Sequence, residues 1–464
     1  MKKLIALIAV FCIFAWGLYA QEISEKQDLS IFRANYYGAP VEKQGDSLSI
    51  KAQIGKTSVE LDLTSSGNME TDRIFRNSIG AVDAGIRQVF QNLGRFNIIA
   101  MPQRVSTSNV TDFISAIQDY RQQGVEIPEA VRLGQEAFTE SDLNRIINSF
   151  IMVVPEVTYY DINIGDVSLY EATIVTSFSI FNVEDYSSIA EFSVESTGYS
   201  DDKQEAMRLA VEDISDQLEF EIRSVEQFRL KSAILERRAG RIILEFGRNM
   251  GIRVGDEYEV TRIRDLGGKV FNERVGLLRI REVNQEFSIA SVMYEKERIV
   301  AGDQVKEIPR IGFDVTPYVA AIFNLESRSI SSISFGARAA PSRGFYAFRP
   351  VAGVEIVLSN ASTAGEFIGL PVSVNFGAEY NLFLRRLRLT PHAYLGLVGQ
   401  IPLQEGDDFA LKALKTGLVS GLSYLLPSAA DNIELYLEGG YELQFGFESN
   451  PVSGISLGAG VRIR

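Results

Sequence analysis

Over the last third of the chain, apolar and polar residues alternate with a period of two, and the polar positions carry charge. From Gly454 to Arg464, Ile455, Leu457, Ala459, Val461 and Ile463 share one face, while Gly454, Ser456, Gly458, Gly460, Arg462 and Arg464 share the other. Upstream, Ile433, Leu435, Leu437, Tyr441, Leu443 and Phe445 alternate with Glu434, Glu438, Glu442 and Gln444. A period of two is the signature of β-strands. A charged face repeated strand after strand cannot line a dry soluble core. It can line the lumen of a transmembrane barrel whose apolar face meets lipid.

Eight long segments carry this pattern, near 311–324, 330–340, 345–358, 367–382, 386–400, 409–425, 432–446 and 452–464. An even number returns the chain to its starting side, with outer tips near 325–329, 359–366, 401–408 and 447–451. The outward set includes Phe313, Val315, Tyr346, Phe348, Val354, Leu370, Val374, Phe376, Tyr380, Leu395 and Leu397. The inward set mixes signs: Asp314, Arg338, Arg349, Glu355, Glu379, Arg386, Arg388, His392, Glu434, Glu438 and Glu442. Glycines at 336, 353, 377, 396, 440 and 458 offset the bulk of Arg and Tyr in so narrow a lumen. Interlaced, these charges form a polar plug; unpaired, each would be costly. Two features cut against the pattern. Lys412 and Lys415 fall on opposite faces of one strand, and Pro317, Pro350, Pro371 and Pro391 lie inside strands, where a closed barrel has no edge to accept a missing donor. By pattern the segment resembles the membrane domains of OmpA and OmpX. In the last strand, Ser456, Gly458, Val461 and Ile463 have the spacing of a barrel-insertion signal. That resemblance implies outer-membrane lipid as one partner.

The amino terminus reads as a signal peptide over 1–20: Lys2 and Lys3, an apolar run from Leu4 to about Trp16, and Ala20 at the cut. The single cysteine, Cys12, lies within it, so the mature chain has no disulfide. Losing Lys2 and Lys3 takes the formal charge from −14 to −16. So acidic a chain is a poor match for nucleic acid.

After a lead-in over 21–57, an α+β domain is expected over 58–226, a sheet covered by helices. Its first strand falls at Ser58–Leu63, a helix at Asp72–Gly94, a strand at Phe96–Ala100, two or three helices, and a helix at Glu140–Asn148. Strands near 150–160, 170–181 and 189–195 and a helix from Asp201 to about Val225 complete it. The run from Ala84 to Ile99, with its Gly94-Arg95-Phe96 turn, resembles the helix, turn and strand of CsgG-like curli-secretion proteins. The amino-terminal domain of TolB shares that fold. The resemblance implies envelope assembly or secretion partners and no catalytic site. CsgG-like channels build a pore from hairpins inserted in this unit, and no extra alternating hairpin is expected here.

A helical connector is expected over 227–237, then a small all-β domain over 238–310. Gly251-Ile252-Arg253-Val254-Gly255-Asp256-Glu257 and Ala301-Gly302-Asp303-Gln304 resemble the SH3-like carboxy-terminal domain of flagellar assembly protein T. Gly255, Asp256, Gly302 and Asp303 are read as structural turns entering strands.

The overall expectation is a multidomain, non-enzymatic outer-membrane protein with no cofactor. Its eight-stranded barrel would anchor CsgG-like and SH3-like domains in the periplasm, where they bind flagellar, secretion or cell-wall components. An oligomeric secretion channel is the second expectation, which leaves a homo-oligomer open. A lipid-modifying barrel enzyme with His392 as base is the third. One histidine excludes a multi-histidine metal centre, and His392 is expected to play a hydrogen-bonded structural part.

Overall fold

The structure, a computed structural model, describes residues 24–36, 48–54, 57–63, 69–107, 130–133, 136–147, 149–165, 168–185, 187–325, 327–359, 369–402, 410–427, 431–446 and 451–464. The signal peptide, Cys12, the helices expected after Ala100 and most of the outer tips lie outside the described residues. The chain divides into two compact units, Glu25–Arg229, and Leu230–Arg464 together with Ser24.

In the first unit, β1 (Gln27–Arg33), β2 (Asn35–Tyr36), β3 (Leu48–Ile54), β4 (Thr57–Leu63), α1 (Met69–Asn92), β5 (Phe96–Arg104), β6 (Ala130–Leu133), β7 (Glu136–Thr139), α2 (Glu140–Ile147), β8 (Ile151–Ile164), β9 (Tyr170–Asn182), β10 (Ser188–Ser200) and α3 (Lys203–Ser224) follow in order. The main sheet runs β10-β9-β8-β1-β5, with β1 parallel to both neighbours. Helices α1 and α3 bury Phe75, Val82, Ile86, Phe90, Met207, Ile214 and Leu218 against Leu29, Val153, Ile174 and Ile180. Asp202 caps α3 by accepting from the amides of Gln204 and Glu205. Gly94, at φ +66°, closes α1. Arg95 follows it into the interior and donates to the Phe228 carbonyl at 2.8 Å, while Phe96 meets the Phe228 ring edge-on. A Cβ on Gly198 would lie 2.1 Å from the Ala206 carbonyl oxygen, so only glycine lets α3 pack this closely on β10.

Two expectations for this unit are corrected. The lead-in contributes β1, an interior strand of the main sheet, so the domain begins well before residue 58. Its run Leu29-Ser30-Ile31-Phe32 is buried on both faces and therefore does not alternate. The Ser58–Leu63 strand instead pairs with β3 in a hairpin separate from that sheet, and β6 and β7 form another. Among the described residues, the unit thus has two hairpins outside its main sheet, where no extra alternating hairpin was expected.

The second unit opens with a closed six-stranded barrel, β11-β12-β15-β14-β13-β16. Its strands are β11 (Lys231–Arg238), β12 (Arg241–Leu244), β13 (Glu257–Leu266), β14 (Lys269–Val283), β15 (Ser288–Glu295) and β16 (Gln304–Ile308). The helical connector over 227–237 is corrected: Lys231–Arg238 is a strand. Its charged run suits a helix locally, but pairing with both β12 and β16 closes the barrel, and that tertiary gain prevails.

Then come β17 (Phe313–Asn324), β18 (Ser329–Pro341), β19 (Phe348–Ser359), β20 (Gly369–Tyr380), the short β21 (Leu382–Leu384), β22 (Leu387–Pro402), β23 (Ala410–Leu425), β24 (Ile433–Gly446) and β25 (Val452–Ile463). The eight long strands pair antiparallel with their neighbours, and β17 with β25 and β20 with β22 close the ring. The strand prolines find room without breaking it. Pro350, Pro371 and Pro391 each lie just past the end of one of their strand's two ladders, and Pro317 falls in a gap of the β17–β25 ladder. Each missing donor therefore costs no bond on that side. The clash of faces at Lys412 and Lys415 is also explained. The register slips between Val398↔Ala413 and Gly399↔Leu411, so Lys412 is the extra residue of a bulge. Leu411 and Leu414 then both point out, and Lys415 points in.

Candidate functional site

The eight-stranded barrel has an apolar wall. Leu395, Leu418, Phe376, Leu437 and Leu457 are all exposed on it, Leu395 at 72%. At the mouth where β17 starts and β25 ends, Phe313, Phe348, Tyr380 and Tyr424 are exposed at strand ends around the ring. Tyr346 departs from its expected outward position: it lies half-buried in the turn before β19, its ring 5.7 Å from that of Phe383.

Inside, charges pair across the barrel. Arg338 grips Glu438 with both terminal nitrogens, at 2.5 and 3.0 Å, and lies 3.9 Å over the Tyr318 ring. Tyr436 donates to the same carboxylate at 2.7 Å. Deeper from that mouth, Lys415 bridges Glu355 at 2.7 Å and Glu442 at 2.9 Å, while Tyr318 and Asn375 also donate to Glu355. Toward the mouth, Asp314 lies between Arg349, at 2.8 Å, and Arg388, at 3.0 Å. Arg349 also pairs with Glu379, and Arg388 with Glu434. Arg462 donates to Thr316 and stands 3.7 Å from Glu379. A cavity of about 10 Å³ among Asp314, Arg338, Arg349, Glu379, Tyr436 and Arg462 is room for about one water. Around it the lumen is filled with side chains.

Of the expected inward set, Arg386 does not enter the lumen. It sits at the β21–β22 turn, donates to the Leu425 carbonyl, and lies 3.7 Å over the Tyr294 ring. His392 does point in, stacked beside Tyr394 with ring centroids 6.0 Å apart. Its Nε2 stands 4.0 Å from a Glu438 oxygen. Ser456, Gly458, Val461 and Ile463 all fall in β25, between β24 and β17, with Ser456 buried and Ile463 exposed.

The six-stranded barrel covers the mouth. Asp256 accepts from the Arg253 amide, which shapes the Gly255 turn at φ +89°, and from Arg343 of the β18–β19 turn at 2.8 Å. A Cβ on Gly255 would meet the Ser342 carbonyl oxygen at 2.1 Å, so that turn fits there only as glycine. Gly302, at φ +90°, precedes Asp303, which accepts from the Val300 amide and from Arg262. Glu257 is shared by Arg310, at 3.0 Å, Arg279, at 3.8 Å, and Arg464. Arg464 also approaches Glu434 at 3.5 Å, so the mouth seal and the lumen network are continuous. On the far side of the mouth, Asp431 takes Arg274 at 2.6 Å and the Tyr294 hydroxyl at 2.7 Å. Between these two anchor points Leu277, Met293 and Tyr294 pack on Leu425, Ile308 and Phe383. Burial and the hydrogen bond to Asp431 push the Tyr294 hydroxyl up to about 12.

Sequence reasoning missed this seal. Glu257, Arg274, Arg279, Tyr294, Arg310 and Asp431 come from separate segments, and no local pattern marks them. Lys415 was hidden by the bulge. In the first unit, a cavity of about 310 Å³ is lined by Arg33, Asp83, Arg87 and Arg104 among others, with Arg104 paired to Asp83. Among the described residues, no cluster of His, Cys, Asp and Glu could hold a metal.

No family model matches the chain, and no curated protein does. Among solved structures, Neisserial surface protein A aligns at 18% identity over 33% of this chain and 96% of its own, with a TM-score of 0.25. The amino-terminal β-barrel domain of Pseudomonas aeruginosa OprF aligns at 12% identity over 32% of this chain and 96% of its own, TM-score 0.22. The PelC dodecamer of Paraburkholderia phytofirmans aligns at 9% identity over 42% of this chain and 88% of its own, TM-score 0.22. Overlaps this slight carry no argument, and the reading of the chain rests on its own geometry.

Proposed function

We propose that this protein is a non-enzymatic outer-membrane anchor. The eight-stranded barrel spans the bilayer as a filled plug, the six-stranded, SH3-like barrel closes its periplasmic mouth, and the CsgG-like first unit binds envelope partners, whether flagellar, secretion or cell-wall components. One observation carries the reading: large apolar side chains cover the outside of the eight-stranded barrel, while paired Arg, Lys, Asp and Glu fill its inside. A soluble barrel would have the reverse arrangement. The exposed aromatic residues around the mouth fit a lipid-interface girdle.

The test is cell fractionation with proteolysis of intact cells. Cleavage within the outer tips at 359–366 and 401–408, with the first unit protected until the outer membrane is opened, is the expected result. Recovery of the protein in the soluble fraction sinks the anchor. In planar bilayers the filled lumen predicts no steady large conductance. Replacing His392 with alanine is expected to leave lipid profiles unchanged, since the side chain is buried inside the filled lumen.

A second reading, an oligomeric channel built by the first unit, is favoured by the β3–β4 hairpin. Its register pairs Leu48 with Leu63, Ile50 with Leu61 and Ala52 with Val59, alternating with Ser49–Asp62 and Lys51–Glu60 pairs. A steady conductance lost on deleting 48–63 but kept with the lumen charges altered would favour it.

A further inference from the structure

In the first unit the chain leaves β1 and β5 toward opposite faces of the sheet. From β1 it passes to α1, whose Phe75, Val82 and Ile86 pack on the side of Leu29 and Ile31. From β5 it passes to α2, whose Leu143 and Ile146 pack with Phe32, Met101 and Val154 on the other side. The two strands are parallel neighbours, so their carboxyl ends lie together, at Arg33↔Arg104. Where neighbouring parallel strands part in this way, ligands bind in the crevice beyond their carboxyl ends.

The cavity of about 310 Å³ opens at that place. Arg33 and Arg104 line it from the strands, and Asp83 and Arg87 from α1, where Ile79, Gly80 and Ala84 share their helix face. Its charges do not balance, because three guanidinium groups stand against one carboxylate. Asp83 is already committed: it accepts from the Ala34 amide at 2.8 Å and from both terminal nitrogens of Arg104. Arg104 also donates to the Ala34 carbonyl and lies 5.9 Å over the Tyr36 ring, so it forms a fixed wall. Arg33 and Arg87 make no ion pair among the described residues, and the buried Nε of Arg87 has no hydrogen-bond partner. Two guanidinium charges are therefore left over. A Cβ on Gly80 would meet nothing within 4 Å, so the cleft reaches down to the helix backbone.

We propose that this cleft binds a small phosphate monoester, with Arg33 and Arg87 on the phosphoryl oxygens and the ester's remainder on Ile79, Gly80 and Ala84. A guanidinium fork matches phosphate oxygens in pairs. A phosphate monoester carries about −1.5 to −2 charges at neutral pH, close to the charge left over, whereas a monocarboxylate would leave one arginine unmatched. The volume also suits an ester, since clefts that hold small ligands run from about 300 Å³ upward. Free phosphate shares the recognised group but has nothing to lay on the apolar floor. Every residue of the site lies in the first unit, so the inference stands whether or not the eight-stranded barrel spans a membrane.

The experiment is equilibrium dialysis of the full chain in detergent micelles against radiolabelled glycerol 3-phosphate, inorganic phosphate and glycerate. Saturable binding of glycerol 3-phosphate is expected, weakened about tenfold or more by Arg87→Gln and by Arg33→Gln. Gly80→Leu fills the cleft from α1 while favouring the helix, so it should abolish binding with the unfolding midpoint held or raised. Arg208→Gln removes an equal charge from the exposed face of α3 and should leave binding unchanged. Inorganic phosphate held as tightly as the ester would mean that the apolar floor takes no part, and overturns the ester. Glycerate held as tightly, or an equal loss with Arg208→Gln, would reduce the site to general attraction of anions and overturns it too. So does the absence of saturable binding by all three probes.

Discussion

Glu438 shows what a charge costs inside a closed barrel. It is buried, and its oxygens are satisfied by Arg338 and the Tyr436 hydroxyl. Arg338→Met leaves that carboxylate without its cation and is expected to cost about 3–5 kcal/mol, read from urea unfolding in bilayers by circular dichroism. Adding Glu438→Met should restore most of the loss, because the pair is removed together; no recovery would mean that Arg338 acts through packing on Tyr318 alone. Small residues matter as much. A Cβ on Gly421 would fall 2.4 Å from the Tyr436 ring. Gly421→Ala should therefore destabilise by about 1–3 kcal/mol, and Tyr436→Leu in the same chain should relieve it. At the mouth, Tyr294 titrates in the direction that burial dictates. Its acid form is favoured in the folded state, so its contribution is complete below the ordinary value of 10 and is lost as pH rises toward about 12. Hydrogen exchange in β15 should accelerate over that window, and Tyr294→Phe should abolish the change.

At the scale of elements, the strands of the eight-stranded barrel were legible almost to the residue, because each is long, alternates, and has lipid-type and ionised faces that cannot be exchanged. The exceptions have local physical causes: one extra residue at Lys412 flips the apparent face, and Arg386 belongs to a turn where period-two parity no longer applies. In the first unit β1 escaped because a central parallel strand buried on both sides does not alternate. Strand β11 escaped because its Glu236-Arg237-Arg238 run carries no strand signal, and closure of a barrel is a long-range fact. The charged seal at the mouth was least legible of all, since it joins side chains as far apart as Glu257 and Arg464. Helix ends were easier. Asp202→Ala removes the side chain that caps α3 and should cost about 1 kcal/mol in the first unit, read as a shift in its urea midpoint, with the second unit's transition unmoved.

At the scale of the whole molecule, the second unit joins an apolar-walled barrel to a polar cap through buried carboxylates, of which Glu257 is shared by three arginines. Glu257 faces Arg279, Arg310 and Arg464, and Arg464 leads on to Glu434 inside the lumen. A surface contact of this kind would be screened by salt and worth little. Here Glu257 and Arg279 are almost fully buried, so the attraction is felt at low dielectric and removal leaves three guanidinium groups facing one another. Glu257→Gln keeps the shape and removes the charge. It is expected to release the cap rather than the anchor: the eight long strands keep their own ladders and paired lumen, whereas the six-stranded barrel loses its hold at the mouth it covers. Native-state hydrogen exchange distinguishes the outcomes. Exchange rising at least tenfold in β13, β14 and β16, with β17 to β25 unchanged, is the expected result. Equal acceleration in both barrels would mean that they fold as one cooperative body, and no acceleration would mean that the Asp256 and Asp431 contacts and the apolar packing of Leu277, Met293 and Leu425 hold the mouth shut without Glu257.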